Sequence, residues 1–305
     1  MSSIPYALHF PSGPEIPLVC DSPHSGIDYP ADFTHAVDRA LLRSGEDTHV
    51  DVLWGAVPSV GGTLLAARFP RTYIDCNRTE DDLDPALLDG PWPMPLNPGE
   101  KTRLGSGLVW SRVSDGQPIY DGPLSVHAVW QRIERYYRPY HEALGRTVEA
   151  AVERFGVVWH LNLHSMPNNA YERLHIKASQ PLADFVLGDR DGTTCDPAFV
   201  DVVETVLRDR GYTVARNDPY KGVQLIAKIG QPALNRNSLQ IEMRRPLYMD
   251  EVTREPHEGF TRVQADLEVL LKASASYIWQ RLSARPRPSN ARDFNGNTVF
   301  KPVRL

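Results

Sequence analysis

The sequence predicts an α/β fold, a mostly parallel sheet covered by helices on both faces, and three observations lead there. Short apolar runs bounded by turn residues alternate with longer segments of helical periodicity. The first strand, the helices after it and the next apolar run form a crossover unit, the connection that parallel strands need. The 305 residues are 41% apolar and 23% charged, ordinary globular values in a chain long enough to bury a large core.

In chain order, residues 16–20 (IPLVC) form a buried strand cut off by the turn sequence DSPHSG at 21–26. Helical periodicity covers 32–43 and 46–57, the second opening on Glu46 and Asp47, where carboxylates suit the helix dipole. Gly61-Gly62, the apolar run 63–67 and RTYID at 71–75 suggest two strands with a short connection. From 79 to 123 the pattern dissolves into Pro, Gly, Asp and Trp, too long for a connector and therefore a functional loop or lid, or packing material. A long amphipathic helix spans 125–155, with Val126, Val129, Ile133, Tyr136, Tyr137, Tyr140 and Leu144 at 3–4 spacing, a kink expected at Pro139 and a stop at Gly156.

Residues 157–164 form a strand with Val157, Trp159, Leu161 and Leu163 on one face and His160, Asn162 and His164 on the other. Strands at 184–187 and 212–215 flank a helix at 198–210; a strand at 238–242 and a helix at 257–282 follow. Residues 1–283 are expected to form a single α/β domain carrying the long loop 79–123, with a C-terminal tail at 284–305.

Composition excludes several roles. Lys plus Arg total 33 against 38 Asp plus Glu, a net charge of −5, which provides no field for nucleic acid or anionic lipid. Cys20, Cys76 and Cys195 are odd in number and lack CxxC spacing, arguing for a reducing compartment and against a structural zinc cluster. Neither a signal peptide nor a run of ~18 apolar residues is visible, so the chain is expected to be soluble and cytoplasmic.

Parallel α/β sheets collect functional residues beyond their strands' C-terminal ends. There the first strand delivers SPHSG at 22–26, and the segment at 71–75 delivers Arg71 with DCNR at 75–78. The strand at 157–164 delivers His164, and a late one Glu242 followed by Met-Arg-Arg. Two histidines, a carboxylate at the start of a following helix and a late glutamate are the inventory of an open zinc site: three ligands, a water position and a base. A lone histidine after a strand is more often a turn residue, but His24 and His164 in two such turns favour a metal. His160, two residues deeper, fits a supporting role. Asp47 lies in the first helical turn, near the strand ends; Asp51, one turn farther, fits an orienting role, and Glu46 is a rival ligand. Arg71, Asn77 and Arg78 either pair with local acids or clamp a carboxylate or oxyanion. No GxSxG motif exists, so Ser25 and Ser165 are taken to organise their turns, and Gly105-Ser-Gly107 is no phosphate loop.

The set SPHSG (22–26), EDTHVD (46–51), IDCNR (74–78), LNLHSMP (161–167), LGDRDG (187–192) and IEMRRPLYMD (241–250) resembles the N-formylglutamate amidohydrolases. That family is similar in turn to zinc carboxypeptidases and aspartoacylases, with a phosphorylase/hydrolase-like mixed sheet between helices. The resemblance implies Zn²⁺, or another divalent metal, at His24 and His164, with Arg71 at the carbonyl oxygen and Glu242 as general base. It puts Asn77 and Arg78 on the substrate's α-carboxylate. The wider group's second ligand, three residues after the first His, falls here on Ile27, so the carboxylate is placed at Asp47. A second substrate carboxylate needs another cation, for which Arg244, Arg245 and Lys221 are candidates; Arg244 stands where the family suggests a smaller polar residue.

The implied reaction is hydrolysis of N-formyl-L-glutamate, a small-molecule N-formyl amino acid, to formate and glutamate, the last step of one bacterial histidine-degradation route. Rival readings are another N-acyl-amino-acid amidohydrolase or carboxypeptidase-like enzyme, and a non-catalytic protein that binds an acidic amino acid. The presence of both Glu242 and Arg71 disfavours the last, because capture needs no base.

Overall fold

The computed structural model of the protein describes residues 4–113, 115–178 and 180–284. Its centre is a seven-stranded sheet: β1 (Tyr6–His9), β2 (Leu18–Ser22), β3 (Thr63–Ala67), β4 (Val158–Met166), β5 (Phe185–Gly188), β6 (Val214–Arg216) and β7 (Arg236–Arg244). Their order is β1-β3-β2-β4-β7-β5-β6. The four central strands run parallel, β1 and β5 antiparallel to their inner neighbours, and β6 parallel to β5. The sheet is therefore mixed and mostly parallel, an α/β fold with helices on both faces.

The period-two pattern of β4 sorts the layers. Trp159, Leu161 and Leu163, with Leu18, Cys20, Ile241 and Met243, pack against the helices Pro197–Asp209 and Gly259–Ala284 through Phe199, Val203, Leu267 and Leu271. On the other face Val19, Leu65 and Val158 pack against Tyr140, Leu144 and Val148 of the helix Arg138–Phe155. His160, Asn162 and His164 form a buried polar row on that second face. β4 and β7 pair over nine residues, with His160 opposite Ser238, Asn162 opposite Gln240 and His164 opposite Glu242. Parallel partners project to the same side, so register alone puts His164 next to Glu242.

Several expectations change. Residues 71–75 are not a strand: Tyr73 and Ile74 are apolar because they pack into the second core, and the backbone N–H of Asp75 is tied to the Leu108 carbonyl at 2.7 Å. The helices expected at 32–43 and 46–57 shrink to Arg39–Arg43 and Val50–Leu53. The second starts late because His49 holds a left-handed φ of 70°. Asp47 thus sits in the turn before a helix, not in its first turn. In the long helix a π turn at Ile133–Tyr137 joins Val126–Arg132 to Arg138–Phe155 just before Pro139, where regular hydrogen bonding would fail. Gly156 ends it at φ 70°.

The 79–123 stretch buries Leu83, Leu108, Val109, Ile119 and Tyr120 in the second core and carries the short helix Glu100–Arg103, which makes it a packed wall. β1 and the helix Gln224–Ile229 have no counterpart in the expected elements. The expected tail lies, apart from Ala284, outside the described residues. Among the described residues no helix is long and apolar enough to cross a membrane.

Candidate metal centre

β2 and β4 end side by side, and their exits carry His24 and His164. The turn before Val50 is drawn in by a hydrogen bond from the Asp47 backbone N–H to the His24 carbonyl, 3.0 Å. One ligand atom from each of these three buried residues lies within 4.8 Å of the other two. Nδ1 of His24 is 3.1 Å from Nδ1 of His164 and 3.4 Å from Oδ2 of Asp47, and His164 Nδ1 is 3.1 Å from that same oxygen. Ligands of a tetrahedral cation bound at ~2.0–2.1 Å stand about 3.3 Å from one another.

The outer hydrogen bonds decide what these atoms are. His24 Nε2 donates to Oδ1 of the Asp75 carboxylate at 2.8 Å. His164 Nε2 is 2.7 Å from Asn162 Oδ1, and the Asn162 amide donates to Asp21 Oδ1 at 2.8 Å, so Oδ1 faces His164 as an acceptor. Both rings therefore carry their hydrogen on Nε2 and turn a lone pair inward from Nδ1. With Asp47 Oδ2, three acceptors then face one point, an arrangement that a shared cation satisfies. The residues present fit a divalent metal.

The carboxylates are tuned in opposite directions. Burial works to raise Asp47, but the His164 and His24 rings, when a proton sits on an inward Nδ1, and the charge of Arg245 hold it well below the usual carboxylate range. Asp75 behaves likewise, burial being overcome by Arg71, His24 and Arg78. Glu242 lacks such compensation: burial pushes it up to about 7, the charge of Asp47 adds to the rise, and His164, Arg71 and Arg245 oppose it. Gln240 Nε2 donates to Glu242 Oε1 at 2.9 Å and orients the carboxyl.

These groups open onto a cavity of about 450 Å³ that also takes in Arg71, Asn77, Arg78 and Arg245. Arg71 donates to Asp75 Oδ2 from Nε at 3.1 Å and Nη2 at 2.8 Å and lies over the Trp110 ring. Arg78 donates to the carbonyls of Ser106 and Asn77, each at 2.9 Å. Glu46, the rival ligand, is taken up by Tyr29, Arg43 and Thr48, and Asp51 lies outside the cavity.

Three expected anchors of a second carboxylate are engaged elsewhere. Arg244, the last residue of β7, turns to the β5 side and pairs with Asp184 at 2.7 Å, outside the cavity. Lys221 pairs with Asp191 at 2.9 Å and is also outside. Arg245 lines the cavity, but its nitrogens reach Asp47 Oδ1 at 3.0 Å, the Ser44 carbonyl at 3.1 Å and Ser165 Oγ at 3.2 Å, so it orients the Asp47 carboxylate.

Sequence reasoning missed Asp75, Asn162 and Lys101 as parts of this site. Asp75 stood inside IDCNR and Asn162 on the polar face of β4, so a search for carboxyl or amide partners of the two histidines would have found both.

A family model for N-formylglutamate amidohydrolases matches residues 16–249, which spans every cluster just described. N-formylglutamate deformylases from Pseudomonas putida and Pseudomonas aeruginosa are each 28% identical to the chain, over 269 and 248 residues; these cover 87% and 80% of it and 92% and 86% of the relatives. A crystal structure of an N-formylglutamate amidohydrolase from Ralstonia eutropha JMP134 superposes with a TM-score of 0.90 at 67% identity, covering 91% of this chain and 99% of the other. The match begins at the strand that leads to His24 and closes just beyond Glu242 and Arg245, and on it the chain belongs to the N-formylglutamate amidohydrolase family.

Proposed function

We propose that the protein hydrolyses N-formyl-L-glutamate to formate and L-glutamate, using a divalent cation, Zn²⁺ in first place, held by His24, Asp47 and His164. The observation that carries this reading is the convergence of three acceptor atoms at 3.1–3.4 Å, with the far side of each ring already hydrogen-bonded. The names of the relatives support the substrate.

When bound, such a cation lowers the pKa of water toward ~7 and polarises a carbonyl oxygen. Glu242 takes the proton from the attacking water and returns it to the leaving nitrogen. Arg71, fixed on Asp75, donates to the formyl oxygen as negative charge develops there; loss of one such donor typically costs ~10²–10³ in rate. Arg78 has Nε and Nη1 on backbone carbonyls, while Nη2, 4.0 Å from Asp75 Oδ2 and so beyond hydrogen-bond reach of it, is the nitrogen that can take the substrate α-carboxylate. Asn77 Oδ1 is buried with no partner among the described residues while Nδ2 lies 3.3 Å from His164 Nε2. Turning that amide over gives the ring N–H a second acceptor and frees an NH₂ for the same carboxylate. This reading treats residues 1–283 as one domain acting in the cytoplasm, at the end of histidine degradation; three buried, unpaired cysteines suit a reducing compartment.

The decisive experiment is formate release from N-formyl-L-glutamate by zinc-loaded protein, with metal content measured alongside. About one metal per chain, activity lost on chelation and restored by zinc are expected; formate release indifferent to chelation, or none with metal bound, would overturn the reading. The pH profile adds a second check. A base must be deprotonated, so kcat/KM falls as pH drops through the Glu242 pKa. Burial puts that near 7 and a neighbouring cation pulls it lower. An acid limb with its midpoint no higher than about 7 is expected, and it should vanish in Glu242→Gln.

A further inference from the structure

Six basic side chains line the cavity against three acidic ones. Arg71, Arg78, Arg112, Arg173 and Arg245 each donate to a protein acceptor. Lys101 does not: among the described residues its ammonium has neither a hydrogen bond nor an ion pair, although the side chain is only partly exposed. Its backbone is firmly held. Ser106 donates to the Lys101 carbonyl from N–H at 2.8 Å and from Oγ at 3.2 Å, and the carbonyl of Ser106 accepts Arg78 Nε at 2.9 Å. One residue thus fixes the spacing between Lys101 and Arg78. The helix Glu100–Arg103 that carries Lys101 is pinned by Asp82, which binds the Thr102 hydroxyl and accepts the Gly99 N–H at 2.7 Å.

We infer that Lys101 recognises the side-chain carboxylate of the substrate and makes the enzyme selective for N-formyl dicarboxylic amino acids. The inference rests on the reading above only in taking Arg78 as the α-carboxylate anchor. The two carboxyl carbons of a glutamyl group are separated by four C–C bonds, about 5 Å in extended form. Their two anchors must therefore share one wall, as the Ser106 linkage makes Arg78 and Lys101 do. Burial and the charge of Arg78 both depress the Lys101 pKa, the signature of a wall with excess positive charge that a dianion neutralises. Arg173 is the rival, but it donates to Asn169 Oδ1 at 3.0 Å, and the cavity charge that acts on it most is Arg245, which is paired with Asp47.

The test compares kcat/KM for N-formyl-L-glutamate with that for its neutral isostere N-formyl-L-glutamine. A charge-assisted contact of this kind is worth about 10–100-fold in that ratio. Lys101→Met is expected to remove the preference, Lys101→Arg to keep most of it, and Arg173→Met to keep it. Calorimetric binding of L-glutamate against L-glutamine reads the same anchor without catalysis, so absence of turnover would count against the deformylase reading alone. A wild-type protein without preference in either assay would overturn the inference. So would a Lys101→Met protein, folded by circular dichroism, that retains the preference, or its collapse in Arg173→Met instead.

Discussion

Replacing Glu242 by Gln is expected to lower kcat for formate release by about 10²–10⁴-fold, the usual worth of a general base, with the cation still bound. Gln keeps the volume and the oxygen that accepts the Gln240 amide at 2.9 Å, and it takes no part in the convergence of His24, Asp47 and His164. A loss confined to kcat separates a base from a binding group. The same substitution should act oppositely on stability. Glu242 titrates at about 7 in the fold against an ordinary 4.5, so the folded state holds the proton more tightly than the unfolded one. With a raised carboxyl pKa, stability falls as pH rises from about 4.5 to about 7 and the full penalty persists above that, some 3 kcal/mol. Metal-free Glu242→Gln should therefore resist urea better than metal-free wild type at pH 8 and equally at pH 4. Unchanged kcat, or lower stability at pH 8, would remove Glu242 from the role of a strained, desolvated base.

How much of this was legible in the chain follows from which residues depend on local pattern alone. The alternation in VWHLNLH decided the two faces of β4, and the same alternation runs through SLQIE of β7, so the neighbours His164 and Glu242 could be placed at the same strand ends. Strand direction could not be read, because β5 and β1 carry the same apolar signal whether they run parallel or antiparallel. Tyr73 and Ile74 imitated a strand because burial in the second core, where Tyr73 meets Phe33 and Tyr136, selects the same residue types as a sheet does. The difference between Arg244 and Arg245 lies in one residue at the end of β7. The strand delivers the first to Asp184, and the 3₁₀ turn Arg245–Leu247 swings the second under Asp47. No spacing rule could separate adjacent arginines. Lys101 was invisible for a related reason: it belongs to a Pro-rich stretch without periodicity, and only packing brings it to the cavity.

Asp75 is the site's largest single vulnerability. Its Oδ1 accepts from His24 Nε2 and from the Asn77 backbone N–H, both at 2.8 Å, and its Oδ2 accepts from Arg71 Nε and Nη2 and from Trp110 Nε1 at 2.8–3.1 Å. An Asn here has one oxygen for two clusters of donors, so its NH₂ must confront one of them. Arg71 brings a charge and two N–H groups, and it should win the oxygen. The NH₂ then faces His24 Nε2, which drives that ring to the other tautomer and puts a hydrogen on the Nδ1 that must present a lone pair. Asp75→Asn is therefore expected to weaken cation binding about 10–100-fold, measured by chelator competition. Asp75 is fully buried while Arg71 beside it is 15% exposed, and removing the carboxylate charge should lower stability by roughly 2–4 kcal/mol in urea unfolding. Asp75→Ala, which offers no oxygen at all, should match it in stability but lose less cation affinity, because nothing then forces the His24 proton inward. Equal affinity in wild type and both variants would mean that Asp75 serves Arg71 alone. An affinity lower in Ala than in Asn would mean that the carboxylate holds the ring in place and does not select its tautomer.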